Sequence, residues 1–124
     1  MKLKLLDQTC QIVKLPVDAA IPQELADCAF FSVTKTRDEL SLVVPETVSI
    51  NSPHIEKGWK VLKVEAMLDF GLVGVISKIS AILADHNIPV FVLSTYNTDY
   101  ILAKESHLEK TVLALAGSGY EIEV

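Results

Sequence analysis

Residues 59–105 read WKVLKVEAMLDFGLVGVISKISAILADHNIPVFVLSTYNTDYILAKE. The first ten alternate. Leu62, Val64, Ala66 and Leu68 fall on one face, Lys63 and Glu65 on the other, which is the period of a half-buried strand. The period then lengthens: Leu72, Val75 or Ile76, Ile79, and Ile82 or Leu83 recur at helical spacing, with Ser77, Lys78, Ser80 and Asp85 at the polar positions. Asp69 reads as the N-cap of this helix and Asn87 as a left-handed stop before Ile88-Pro89. PVFVLSTY is a strand, Asn97-Thr98-Asp99 a turn, and YILAKE a second strand.

Downstream, Ser106 and Glu109 have the spacing of a capping box. They open a helix with Leu108, Val112 and Leu115 on one face. Gly117-Ser118-Gly119 ends it, and YEIEV closes as a strand. The order βαββαβ is the ferredoxin-like arrangement, α+β, an antiparallel sheet with two helices on one face.

Upstream, the chain reads as a rougher copy. CQIVKLP is a strand, residues 22–27 allow a short helix, FFSVTKT and ELSLVV form a hairpin, and residues 45–50 leave room for one helical turn at most. Shifting FFSVTKTRDELSL onto FVLSTYNTDYILA aligns Thr34 with Thr95 and Asp38 with Asp99, an offset of 61 positions. Together with the matched order of elements, this reads as an internal duplication. The expected organisation is two tandem units, residues 1–58 with shortened helices and residues 59–124 complete.

Composition bounds the chemistry. The chain has 124 residues, half of them apolar, enough for a packed interior. The net charge is −5 and Arg37 is the one arginine, which argues against nucleic acid and against an anionic membrane surface. GLVGVISKISAILA is too short to span a bilayer and carries Lys78. No secretory pattern opens the chain, and Cys10 and Cys28 match no zinc spacing, so a reduced, cytoplasmic protein is expected. His54, His86 and His107 lie far apart and suggest no metal site. Phe30, Phe31 and Phe91 are expected in the core.

The stretch from LDFGLVGV through STYNTDYILAKESHLEKTVLAL, with FFSVT.T.DELS in the first half, resembles the ACT domain family. The chain is similar to compact bacterial proteins built of two ACT-like units, and to the ACT units of CASTOR-type amino-acid sensors. The resemblance runs from about Cys10 onward, with Gly71 where serine is also familiar. It implies a non-catalytic regulatory sensor with no cofactor, holding a small ligand, an amino acid, where units meet. A homodimer or a separate protein partner would carry the output. The alternatives are a protein interaction module with no small ligand and, less favoured, a small enzyme using Arg37.

Candidate ligand residues follow. In Asp69, Phe70, Gly71, Leu72, Val73 and Gly74 a helix begins, and its first N–H groups favour an anion such as a ligand carboxylate. Thr95, Tyr96, Asn97, Thr98 and Asp99 form a polar turn, with Asp99 suited to a ligand ammonium or guanidinium. Thr34 and Thr36 join from the first half, the site lying at the seam, because helix start and turn are expected to meet only with a wall from a neighbouring unit. Against this, Asp69 would also serve as a plain cap, Gly74 as a packing residue, and Asn-Thr-Asp as ordinary turn chemistry.

Overall fold

The computed structural model of the chain describes residues 1–65 and 73–124. Strands β1 (Lys2–Leu15), β2 (Ser32–Lys35), β3 (Leu40–Pro45) and β4 (Ile55–Val64) are followed by helix α1 (Val75–Asp85). Strands β5 (Val90–Ser94) and β6 (Asp99–Lys104), helix α2 (Leu108–Gly117) and strand β7 (Glu121–Glu123) complete the chain, with 3-10 turns at Gln23–Asp27 and Glu105–His107. From β4 to β7 the order is the βαββαβ of a ferredoxin-like fold.

The chain forms two compact units, Gln8–Trp59 and Met1–Asp7 with Lys60–Val124. They are called here the helix-poor and the helical unit. β1 gives residues 2–7 to the helical unit and 8–15 to the helix-poor one.

In the helical unit, β1 lies between β7 and β4, with β6 beyond β4 and β5 at the edge. A plain four-stranded sheet would put the last strand beside the first strand of the motif. Here β1 is inserted, and β7 pairs with it in parallel, Lys2 with Glu121 and Lys4 with Glu123. The cause is the alternation of KLKLL. Leu3 is fully buried and Leu5 packs against the same core, while Lys2 and Lys4 face solvent. β1 therefore starts eight residues before the expected Cys10.

α1 buries Ile79 and Leu83, and α2 buries Ala114 and Leu115, in one cluster with Leu62, Val64 and Ile101. Both helices thus cover the same sheet face. Each leucine so buried is worth about 1.5–3 kcal/mol of transfer free energy. The expected stop at Asn87 is present. It has φ 57°, its N–H bonds Ala84 O at 3.0 Å, and Ile88 N–H bonds Leu83 O at 2.9 Å. This is a Schellman ending with Ile88 and Leu83 in the same core cluster.

Both expected helix starts need correction. α1 begins at Val75 with Gly74 in the N-cap position expected of Asp69, which lies outside the described residues. α2 is preceded by the turn Glu105–His107, and His107 takes the N-cap position with no side-chain bond, so the Ser106/Glu109 box does not form. Thr111 Oγ1 instead donates to His107 O at 2.8 Å. Phe31 is 40% exposed, and Phe30 and Phe91 are half-buried: the core is aliphatic.

In the helix-poor unit the strands run β2-β3-β1-β4, with β2, β3 and β1 antiparallel. Leu25 of the 3-10 turn and Val48 after β3 join Val13, Leu40, Leu42 and Val44 in its core. Gln11 is 2% exposed, and its amide donates to Val48 O at 2.7 Å and Pro45 O at 3.3 Å. A side chain thereby satisfies turn carbonyls that a longer helix would satisfy internally.

Candidate ligand site

α1 opens without a side-chain cap. Gly74 stands at its N-cap with φ 86°, a left-handed conformation natural to glycine, and accepts Lys78 N–H at 3.0 Å, the first helical bond. The N–H groups of Val75, Ile76 and Ser77 precede that bond and have no helix carbonyl to meet. Val73, just before, is 86% exposed.

A cavity of about 390 Å³ lies at this opening, lined by Val73, Gly74, Val75 and Lys78, by residues 118–120 and by Met1. The far wall is set by the end of α2. Gly119 has φ 98°, Gly119 N–H bonds Ala116 O at 3.1 Å, and Tyr120 N–H bonds Leu115 O at 3.1 Å. Met1 O accepts Glu121 N–H at 3.1 Å and closes the side. Val73 and Gly74 were expected at the site. Lys78 and residues 118–120 were not, although Gly-Ser-Gly at a helix end signals a sharp return of the chain toward the level of the helix openings. Asp69, Phe70, Gly71 and Leu72 lie outside the described residues.

The β5–β6 turn is closed on itself. Ser94 Oγ donates to Asp99 Oδ1 at 2.5 Å, and Thr95 N–H and Oγ1 bond Thr98 O at 2.9 and 3.1 Å. Tyr96 and Asn97 stand exposed at the tip. Thr98 is 3% exposed and points inward, its Oγ1 donating to Val64 O at 2.8 Å. That bond ties the turn to the end of β4 inside one unit. None of the turn residues is among the described lining of the cavity at the α1 opening.

The β2–β3 turn has the same design. Thr36 N–H bonds Glu39 O at 3.0 Å, and Thr36 Oγ1 accepts Asp38 N–H at 3.1 Å and Glu39 N–H at 3.2 Å. Thr36 is thus the counterpart of Thr95, 59 positions on, and not Thr34, which is exposed and sits opposite Ser41 on β2. The offset of 61 is corrected to 59 by the hydrogen-bond register.

Among the described residues, two oppositely charged groups shift each other from their ordinary values. Lys2 is raised and Glu123 lowered, each first by the hydrogen bond between them and then by their opposite charges, across a 3.0 Å bridge joining β1 and β7. Among the described residues no cluster of three His, Cys, Asp or Glu side chains could hold a metal ion, and no helix is long and apolar enough to cross a membrane.

Residues 54–117 match the family model of the ACT domain. The chain is 34% identical over 100 residues to the human protein named "Cytosolic arginine sensor for mTORC1 subunit 1", covering 72% of this chain and 30% of that one. It therefore spans under a third of that relative's length. Among solved structures it is similar to protein Atu0741 from Agrobacterium tumefaciens, with TM-score 0.82, 32% identity, and coverage of 98% of this chain and 90% of the other. An aspartate kinase from Clostridium acetobutylicum shares the fold, with TM-score 0.59 at 13% identity over 92% of this chain and 33% of that one.

Proposed function

Because the chain belongs to the ACT domain family, we propose that it is a non-catalytic regulatory protein that binds an amino acid at the opening of α1. The observation that carries this is the cavity there, whose α1 side lies within the family-matched segment while Met1 and residues 118–120 lie outside it, with the first-turn N–H groups at its edge. A ligand carboxylate suits those donors and the positive end of the helix. The arginine sensors named above support an amino-acid ligand and a cytosolic location.

Residues 8–59 act in this reading as a second ACT-like unit with shortened helices. Its strand order supports this, since β2-β3-β1-β4 is the 2-3-1-4 order of a ferredoxin-like unit. The outer wall of the ligand site comes from a second copy of the chain, and a separate protein partner reads the result. Ligand acts by favouring one packing over another, with coupling of about 1–3 kcal/mol. Thr36 and Thr95 bond within their own turns, Thr98 bonds Val64 O and Asp99 accepts the Ser94 hydroxyl, and none of the four is among the described lining of the cavity.

The test is a thermal-shift screen of the full chain against the twenty amino acids at millimolar concentration. A ligand at about 100 times its Kd adds about 2.7 kcal/mol, a shift of several degrees in a domain of this size. One or a few related amino acids raising Tm is the expected result. Uniform silence contradicts the proposal and favours an interaction module presenting the exposed Val73 and Tyr96.

A further inference from the structure

The described lining of the cavity is electrically one-sided. Lys78 supplies its one charged side chain, and no carboxylate accompanies it among the described lining residues. Lys78 lies on the first turn of α1, so its ammonium adds to the positive end of the helix rather than offsetting it. The other described polar groups at the wall are Ser118, whose hydroxyl donates to Ala114 O at 3.1 Å, and Tyr120. Asp99, the acid that would suit a cationic ligand, is not among these lining residues and accepts the Ser94 hydroxyl.

We infer that the ligand of this cavity is an acidic amino acid or a related dicarboxylate, with Lys78 as the residue that selects it. The inference rests on the proposed ligand site and deepens it. One carboxylate meets the amides of the first turn. The second pairs with the Lys78 ammonium in a charge-assisted bond, the stronger class of hydrogen bond. A guanidinium side chain would instead enter next to a like charge, which disfavours it. The inferred ligand thereby differs from the one for which the human relative is named.

The experiment is calorimetric titration of the full chain with L-glutamate, L-aspartate, succinate, L-leucine and L-arginine, in the unaltered protein, in Lys78→Gln and in Lys78→Arg. Lys78 is exposed, so both variants should melt within about a degree of the parent, checked first by thermal unfolding. At least one of the two acidic amino acids should bind about tenfold or more tighter than L-leucine or L-arginine. Lys78→Gln should lose about tenfold of that affinity, and Lys78→Arg should retain most of it. Succinate binding as well as the acidic amino acids marks the dicarboxylate as the recognised feature, and weaker binding marks the amino acid; both agree with the inference. L-Arginine or L-leucine binding as tightly as the acids, or Lys78→Gln leaving acid binding intact, overturns the inference alone. Silence with all five probes overturns it together with the ligand site on which it rests.

Discussion

The helical and helix-poor units cover a sheet in two different ways. In the helical unit, α1 and α2 lay Ile79, Leu83, Ala114 and Leu115 over Leu62, Val64 and Ile101. In the helix-poor unit a five-residue 3-10 turn contributes Leu25, and the segment after β3 contributes Val48 with Gln11 tying its carbonyls. Both solutions exclude water from one sheet face. Among the described residues, only the first has an α-helix whose opening-turn N–H groups, with no helix carbonyl to meet, stand beside a cavity. Core formation does not require the helix pair: the helix-poor unit keeps its core with no α-helix among its described residues.

The largest expected effects test the two ways of covering the sheet. Leu83→Ala should destabilise by about 4 kcal/mol in denaturant unfolding, because α1 and α2 together hold the space open. Leu25→Ala should cost about 2–3 kcal/mol, since a lone 3-10 turn can settle into the gap. Equal losses would mean that the 3-10 turn is as rigid as the helix pair.

Next comes the polar substitute for a helix. Gln11→Ala should cost about 2 kcal/mol by leaving the Val48 carbonyl without the amide that donates to it, while Pro45 O keeps the Val48 N–H at 3.0 Å. A change under about 0.5 kcal/mol would show that water replaces the amide without loss.

The two turns give a smaller contrast. Thr98→Val removes the bond to Val64 O and should cost about 1–1.5 kcal/mol, while Thr36→Val, at an exposed turn, should stay near 0.5 kcal/mol. Matching losses would deny the inward anchor its special role.

How much of this was legible in the sequence depends on how local each cause is. The hairpins, the Asn87 stop and the βαββαβ order follow from neighbours in the chain, and the period of the apolar residues reveals them. The insertion of β1 is non-local. KLKLL alternates visibly, but nothing near it says that β7 will be its parallel partner. The start of α1 was misplaced because Asp69 offers a good cap, whereas the observed start depends on Gly74 adopting φ 86°. Thr98 looked like a surface turn residue, and only the end of β4, 34 positions away in sequence, makes it an anchor. Lys78 carried no signal beyond a polar position on a helix. Its meaning comes from residues 118–120, which the fold brings to the same cavity.

The smallest expected effect concerns the β1–β7 edge. Glu123 titrates lower in the folded chain, so its bridge to Lys2 adds stability above its ordinary value of 4.5 that is lost as pH falls through the lowered folded value. Lys2 titrates higher, so its share is present below 10.5 and is lost as pH rises through the raised folded value. Glu123→Gln should therefore lower Tm slightly at neutral pH. The gap between variant and parent should close at both extremes, strongly acid and strongly alkaline. A gap unchanged in acid would assign it to packing rather than charge. Being exposed, the pair should also weaken with added salt.

The most direct test of the central claim is a backbone amide NMR spectrum of the full chain, recorded with and without a saturating amount of whichever amino acid gives the largest thermal shift. The account predicts that the largest changes fall on the amides of Val75, Ile76 and Ser77 and on Ser118 and Gly119. Largest changes within residues 8–59, or none at the opening of α1, would contradict it.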